Sequence, residues 1–203
     1  MNYKAVGFDY GGVISGLPGG YFDDRVASLL SVPIEEYRRV YFTHNKKLLQ
    51  PHQVWKLVLS ELGRSEQYDA LTTLVDRLNS AKSLNTDVLD LVAALRQRGY
   101  KVGLLSNNSK EKADAMRLQK IDTYFDAFCV SEEIGYAKPE KRAFDYFADQ
   151  LDVALEELVF IDDEPTSIEN SRKDGFTAIR YVGYEQLIRS LEALGIEDKA
   201  FGI

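Results

Sequence analysis

Five short apolar runs, four of them separated by segments of helical periodicity, constrain this chain more than anything else in it. They are Ala5 to Phe8, Val102 to Leu105, Ala127 to Val130, Leu158 to Ile161 and Thr177 to Ile179. Each is too short for a helix and is bounded by polar or turn-forming residues, which reads as a buried strand. Between them lie Thr86 to Arg98, Lys110 to Gln119, Lys141 to Gln150 and Pro165 to Lys173, with Tyr184 to Leu194 after the last. In the first of these Val88, Leu91, Val92 and Leu95 share one face and Gly99 supplies a stop. Strands alternating with helices predict an α/β fold with a parallel sheet covered on both faces. Such sheets bind ligands beyond the carboxyl ends of their strands.

One interval breaks the alternation. Residues 15–81 hold no convincing strand but carry helical patterns over Asp23 to Leu30, Ile34 to Leu49, Pro51 to Leu62 and Ser65 to Asn79. The expected organisation is a core of residues 1–14 and 82–203 with a helical insertion, 15–81, standing over the strand ends as a lid. Leu17-Pro18-Gly19-Gly20 reads as the hinge into it or as a plain loop. Aromatic residues there (Tyr21, Phe22, Tyr37, Tyr41, Phe42, Trp55) are placed to contact a ring or to fill the insert's own core.

Composition narrows the partners. A formal charge of −7 argues against nonspecific binding to nucleic acid or an anionic membrane. No apolar run approaches the roughly 20 residues that span a bilayer, and the N-terminus reads as a strand, without a signal-peptide pattern. One cysteine, Cys129, excludes an internal disulfide and a multi-cysteine metal site and suits a reducing cytoplasm.

Polar groups gather where the strands end. The first strand runs into Asp9-Tyr10-Gly11-Gly12-Val13, the second into Ser106-Asn107-Asn108, and the fourth into Asp162-Asp163-Glu164; Gly135-Tyr136-Ala137-Lys138-Pro139 follows the third. Any one of these is explicable as helix capping; four at one sheet edge are not. Asp9, Asp162 and Asp163 would crowd negative charge into one crevice, so a cation is expected. All-oxygen ligands favour Mg²⁺. Ser106, at a helix N-terminus with the backbone N–H groups of Asn107 and Asn108 nearby, can receive phosphate oxygens, and Lys138 adds a point charge. With that charge neutralised, a carboxylate can serve as nucleophile.

These motifs resemble, in order, those of the haloacid dehalogenase (HAD) superfamily of hydrolases, and the resemblance runs the length of the chain. It implies a Rossmann-like sheet of strand order 5-4-1-2-3 with an inserted α-helical cap. It implies a Mg²⁺-dependent phosphatase acting on a small phosphorylated metabolite, such as a sugar phosphate, through an aspartyl-phosphate on Asp9. Asp9 is then nucleophile and metal ligand, the Gly11 carbonyl a ligand, Asp163 the direct acidic ligand and Asp162 the supporting one. Ser106 and Asn107 bind the phosphoryl group, and Lys138 neutralises both it and Asp9.

One position departs from the pattern. The family's phosphatases usually carry a second Asp two residues after the nucleophile, as general acid–base; here it is Gly11, as in the α-glucose-1-phosphatase-like branch. Three expectations follow: a leaving group that needs little protonation, a substitute acid among Asp23, Asp24, His44 and Glu164, or a phosphate-binding module with little turnover. A metal-independent 2-haloacid dehalogenase also lacks that Asp, but Asp162-Asp163 would sit unfavourably beside its ester intermediate. A receiver domain would place its acidic pair with the first strand and carry no large insertion.

Overall fold

A computed structural model describes residues 2–16, 21–45, 47, 49–80 and 84–196. Five parallel strands form one sheet: β1 (Ala5–Phe8), β2 (Lys101–Ser106), β3 (Ala127–Val130), β4 (Leu158–Asp162) and β5 (Thr177–Arg180), in the order β3-β2-β1-β4-β5. This is the expected 5-4-1-2-3 order read from the other edge. The first strand of the chain is thus the central one, with Ala5 opposite both Lys101 and Leu158.

Side-chain alternation splits the core between the two faces. Val6 and Phe8 pack with Val88, Leu91, Val92 and Leu95 of helix α5 (Thr86–Gln97) and with Leu187 and Leu191 of α10 (Tyr184–Ala193). Ala5, Leu105 and Phe160 pack on the opposite face against Phe144, Phe147 and Leu151 of α8 (Lys141–Leu151). Gly7 and Gly103 are register partners beneath Phe147, and a Cβ on either would lie 2.5 Å from that ring. The ring sits against bare backbone at the sheet centre, and a side chain at either position would push α8 away. Helices α6 (Lys110–Leu118) and α9 (Pro165–Asp174) complete the alternation. Asn85 and Ser109 cap α5 and α6 by accepting from Val88 N and Lys112 N.

The chain leaves β1 for a helical insert of α1 (Tyr21–Leu30), α2 (Ile34–Asn45), α3 (Pro51–Glu61), a 3-10 turn at Ser65–Gln67 and α4 (Tyr68–Ser80). These helices have an apolar core of their own, with Val26, Leu30, Val40, Val58, Leu59 and Leu71 at its centre. Helix α2 stops at Asn45, short of the periodicity-based limit at Leu49. Pro51 then takes the first position of α3, with Gln50 extended before it (φ −61, ψ 146) and the Gln50 N–H donating to Gln53 Oε1 at 3.0 Å. The Leu17–Gly20 segment expected as a hinge, the Tyr21 side chain, and residues 81–83 at the expected far boundary lie outside the described residues. Where the chain re-enters the core, Ser15 bridges both Gly11 and Leu84, and Asn85 donates to Ile14 O, Val13 O and Tyr181 Oη. Both ends of the insert are therefore fastened to one point beside the sheet edge.

Candidate active site

Asp9 follows β1 directly, and its N–H donates to Ile161 O at 2.8 Å, which fixes it at the carboxyl edge beside β4. The chain then turns tightly: Ile14 and Ser15 N–H both return to Tyr10 O, and Gly12 N–H donates to Ser15 O. Gly12 takes φ +72, and a Cβ there would lie 2.1 Å from Asp163 Oδ2. Glycine is required on both counts, backbone and space. Gly11 is different, since a Cβ there would meet only Asp9 Oδ2, at 3.9 Å.

Lys138 reaches into the same crevice and is almost fully buried. Its Nζ lies 2.9 Å from Asp9 Oδ1 and 2.8 Å from Asp162 Oδ2, and 5.0 Å from the centre of the Phe160 ring. Asp162 is buried with both oxygens engaged, because Oδ1 accepts the Glu164 N–H at 2.9 Å. Asp9, Asp162 and Asp163 each bring a carboxylate oxygen within 4.8 Å of the others. Three carboxylates face one ammonium, a deficit of two positive charges.

The acid groups register that deficit. Burial raises the Asp9 pKa and the Asp162 charge adds to it, while Lys138 only partly opposes them. Burial, then Asp9 and Asp162, push Asp163 up to about 8. Burial alone would pull Lys138 down, but Asp162 and Asp9 outweigh it and its pKa rises, so it stays charged. A divalent cation fits this set: its charge matches the deficit, the donors are all oxygen, and Gly12 leaves the space in which Asp163 stands over the β1 loop. Asp9, Asp163 and the Gly11 carbonyl are the groups that would hold it. Asp162, with both oxygens spoken for, supports Lys138.

Ser106 ends β2 buried, and its Oγ accepts from Asn108 Nδ2 at 2.8 Å, which leaves its hydroxyl proton able to donate. Asn107 does something the sequence did not suggest. Its Nδ2 donates to Lys138 O at 2.7 Å and its Oδ1 accepts the Lys138 N–H at 2.8 Å. This two-bond clamp sets the backbone from which Lys138 reaches Asp9. What Asn107 can offer a phosphoryl group is its own N–H; that of Asn108 already goes to Ser131 Oγ and Ser106 O. Asn107→Ala leaves a backbone donor and acceptor without partners, a cost of about 1–3 kcal/mol. We expect a lower melting temperature together with a fall in kcat that exceeds any rise in KM, checked by thermal denaturation and steady-state kinetics.

The proton-donor candidates separate clearly. His44 is held inside the insert, with Nε2 2.8 Å from Glu61 and Nδ1 3.0 Å from Lys47 Nζ. Asp24 is exposed. Asp23 and Glu164 stand near the site: Asp23 contributes to the rise of Asp163, and Glu164 to that of Tyr41. Sequence reasoning missed Arg38, which pairs with Asp23, and Ser131, which brackets Asn108. Neither carries a local signal, because each acts on a residue distant in the chain.

Residues 3–169 match the haloacid dehalogenase-like hydrolase family. The chain belongs to that family. Among HAD relatives, the phosphatase MT3486 of Mycobacterium tuberculosis is 28% identical over 212 residues, covering 96% of each chain. The (S)-2-haloacid dehalogenase 4A of Burkholderia cepacia is 30% identical over 111 residues, 53% of this chain and 48% of that one. The chain spans only about a quarter of the bifunctional epoxide hydrolase 2 of Rattus norvegicus, 25% identical over 128 residues. A HAD family enzyme of Bacteroides thetaiotaomicron, solved with magnesium and inorganic phosphate, shares the fold at TM-score 0.60 and 24% identity, over 90% of this chain and 96% of that one. This HAD chain is a hydrolase with phosphatase relatives, and no helix among its described residues is long and apolar enough to cross a membrane.

Proposed function

We propose that the protein is a Mg²⁺-dependent phosphohydrolase that takes the phosphoryl group of a small phosphorylated metabolite, such as a sugar phosphate, onto Asp9. The observation that carries this reading is the Lys138 ammonium held 2.9 Å from Asp9 and 2.8 Å from Asp162, with Asp163 completing a carboxylate set short of two positive charges. A dianionic phosphoryl group needs that charge supplied before a carboxylate can approach it. When bound, the cation contributes Lewis acidity and screens Asp9 from the phosphoryl oxygens.

The chain's own groups do the rest. Ser106 Oγ–H and the Asn107 N–H would hold the phosphoryl oxygens, and Lys138 would balance charge at Asp9. An Asp9 oxygen bonds to phosphorus as the bond to the leaving oxygen breaks, and the leaving group departs with the electron pair. Water then adds to phosphorus, releasing inorganic phosphate and restoring the Asp9 carboxylate. With glycine at position 11, the leaving oxygen takes its proton from solvent or departs as a stabilised anion, which favours acyl phosphates and sugar 1-phosphates. We assign residues 15–81 the part of a lid over this site. The upward shift of the Tyr41 hydroxyl by the charges of Asp23, Asp9 and Glu164, after burial, supports that placement.

The test is phosphate release from acyl phosphates, sugar phosphates and nucleotides. We expect turnover with Mg²⁺, loss of at least about 10-fold on chelation, and recovery when Mg²⁺ is returned. Halide release from 2-haloacids without metal would select the dehalogenase reading, which glycine at position 11 and the Burkholderia relative favour. Saturable phosphate binding with no turnover anywhere would select a binding module.

A further inference from the structure

The insert and the core keep separate apolar interiors. Among the described residues, the cluster around Val26, Leu30, Val58 and Leu71 takes every member from the insert, and the two clusters on the sheet take none from it. Apolar packing therefore does little to fix the insert at the sheet edge, and polar contacts across the gap matter more. One such contact has both ends half-buried. Gln50, between α2 and α3, donates through Nε2 to Glu132 Oε1 at 2.6 Å. Glu132 lies in the four-residue helix Ser131–Ile134, directly after β3 and so at the carboxyl edge of the sheet. Its other oxygen, Oε2, accepts the Lys110 N–H at 2.6 Å, at the start of α6. Both bonds are of the short, charge-assisted kind.

Among the described residues, the side-chain partners of Glu132 are these two neutral N–H donors and no cation. Neighbouring Glu133, by contrast, pairs with Arg117 through two bonds of 2.7 Å. Glu132 thus has one oxygen on the insert and one on the core. The same segment brackets the end of β2. Ser131 Oγ accepts the Asn108 N–H at 3.1 Å and donates to Asn108 O at 3.2 Å, while Asn108 Nδ2 donates to Ser106 Oγ at 2.8 Å. Ser131 and Glu132 together hold residues 108–110, the stretch that follows Ser106 and Asn107.

We propose that Gln50 and Glu132 form a latch that holds the insert closed over the catalytic edge, and that Glu132 is a positioning residue joining the closed insert to the loop that receives phosphate. The latch rests on geometry; its coupling to phosphate rests on the phosphohydrolase reading. Both ends of the insert are tethered beside Gly11, Ser15 and Leu84, and Gln50 fastens it at a second place. Opening is then a swing about the tether that breaks the Gln50–Glu132 bond and gives both groups to water, a small cost suited to a latch that opens at every turnover. A phosphoryl group that orders the loop from Ser106 to Lys110 favours closure, and closure favours phosphate by the same factor.

Cys129 is the chain's one cysteine and is buried, so spin labels can be attached at exposed positions through Ser60→Cys on α3 and Glu111→Cys on α6. In the labelled protein, Gln50→Glu sets two carboxylates against each other and should enlarge the longer-distance population by about 3-fold or more. Gln50→Ala, which removes the donor without adding charge, should do the same to a smaller extent. The exchanged pair, Gln50→Glu with Glu132→Gln, should restore the wild-type distances, because the new amide donates to position 50 while its oxygen still accepts from Lys110. Mg²⁺ with inorganic phosphate should shift wild type towards the short distance, and Gln50→Glu should weaken phosphate binding by about 5- to 10-fold in calorimetric titration. On acetyl phosphate the loss should fall on KM, with kcat kept within about 2-fold, whereas a merely disturbed fold would lower kcat as well. Distances that Gln50→Glu and Gln50→Ala leave unmoved, or that the exchanged pair does not restore, overturn the latch. Distances that move while phosphate affinity stays constant overturn the coupling. Wild type that neither binds nor releases phosphate removes the phosphohydrolase reading and the coupling with it, and the distances alone then decide the latch.

Discussion

Asp9→Asn is expected to lower phosphate release by roughly 10³-fold or more and, in the metal-free protein, to raise the melting temperature at the same time. The first effect follows from the loss of the nucleophile. The second follows from the charge balance of the crevice. Burial and the neighbouring Asp162 raise the Asp9 pKa against the opposing pull of Lys138. A carboxyl whose pKa is higher folded than unfolded favours the folded state most when protonated. Stability is lost as pH rises from the unfolded value to the folded one and stays lost above it. Asparagine mimics the protonated form at every pH. The gain should therefore be largest above the folded value and should fade as pH falls towards the unfolded one, where wild-type Asp9 is itself protonated. Each kcal/mol gained moves the melting temperature of a chain of this size by about 2–4 °C. Lys138 keeps Asp162 as a partner at 2.8 Å, so the substitution does not strand a buried ammonium. Saturating Mg²⁺ should narrow or reverse the difference, because wild type then gains the ligand that the variant has lost. A variant less stable than wild type at pH 8 without metal would contradict this account of the site.

Gly11→Asp should raise turnover of ordinary alkyl phosphomonoesters by roughly 10- to 100-fold and change acetyl phosphate turnover far less. A positioned general acid–base is typically worth about 10² to 10⁴ in rate. The expected gain sits at or below the bottom of that range, because a carboxylate introduced by substitution lacks a supporting shell selected to hold its geometry. The geometry allows the change. A Cβ at Gly11 makes only ordinary contact with Asp9 Oδ2, and the backbone there, unlike that of Gly12, is not in the left-handed region. The readout is kcat/KM against leaving-group pKa. Wild type should show a steep dependence, because its leaving oxygen departs unassisted, and the variant a shallower one. An unchanged slope would mean that another group, Asp23 or Glu164 by position, already delivers the proton.

The sheet was legible because each strand is an apolar run too short for a helix and ends on a polar residue; β1 and β3 match their runs residue for residue. The four-residue helix Ser131–Ile134, labelled here α7, was not, since one turn leaves no periodicity to read. The strand-end groups of the site could be picked out for the same reason as the strands: parallel topology brings their carboxyl ends to one edge. What could not be read was how those groups hold each other. The Asn107 clamp on Lys138 joins residues 31 positions apart, and the Arg38–Asp23 pair depends on how two helices cross. Nothing local in either segment distinguishes a side chain that binds a substrate from one that holds its neighbour.

The central position of β1 bears on how the chain is made. Ala5 to Phe8 leave the ribosome before the other four strands, yet their partners are Lys101 to Leu104 on one side and Leu158 to Ile161 on the other. The nascent strand therefore waits, apolar and unpaired, until Lys101 to Leu104 emerge, and lacks its second partner until Leu158 to Ile161 follow. The next segment to emerge is the insert, whose helices bury a core among themselves and need no strand to do so. Local helical contacts form quickly, whereas distant strand pairing is slow. The insert is thus the part able to acquire structure during translation, and the catalytic edge can close only after Asp162 has cleared the exit tunnel. Until then the β1 run is a natural target for a chaperone that recognises short apolar segments.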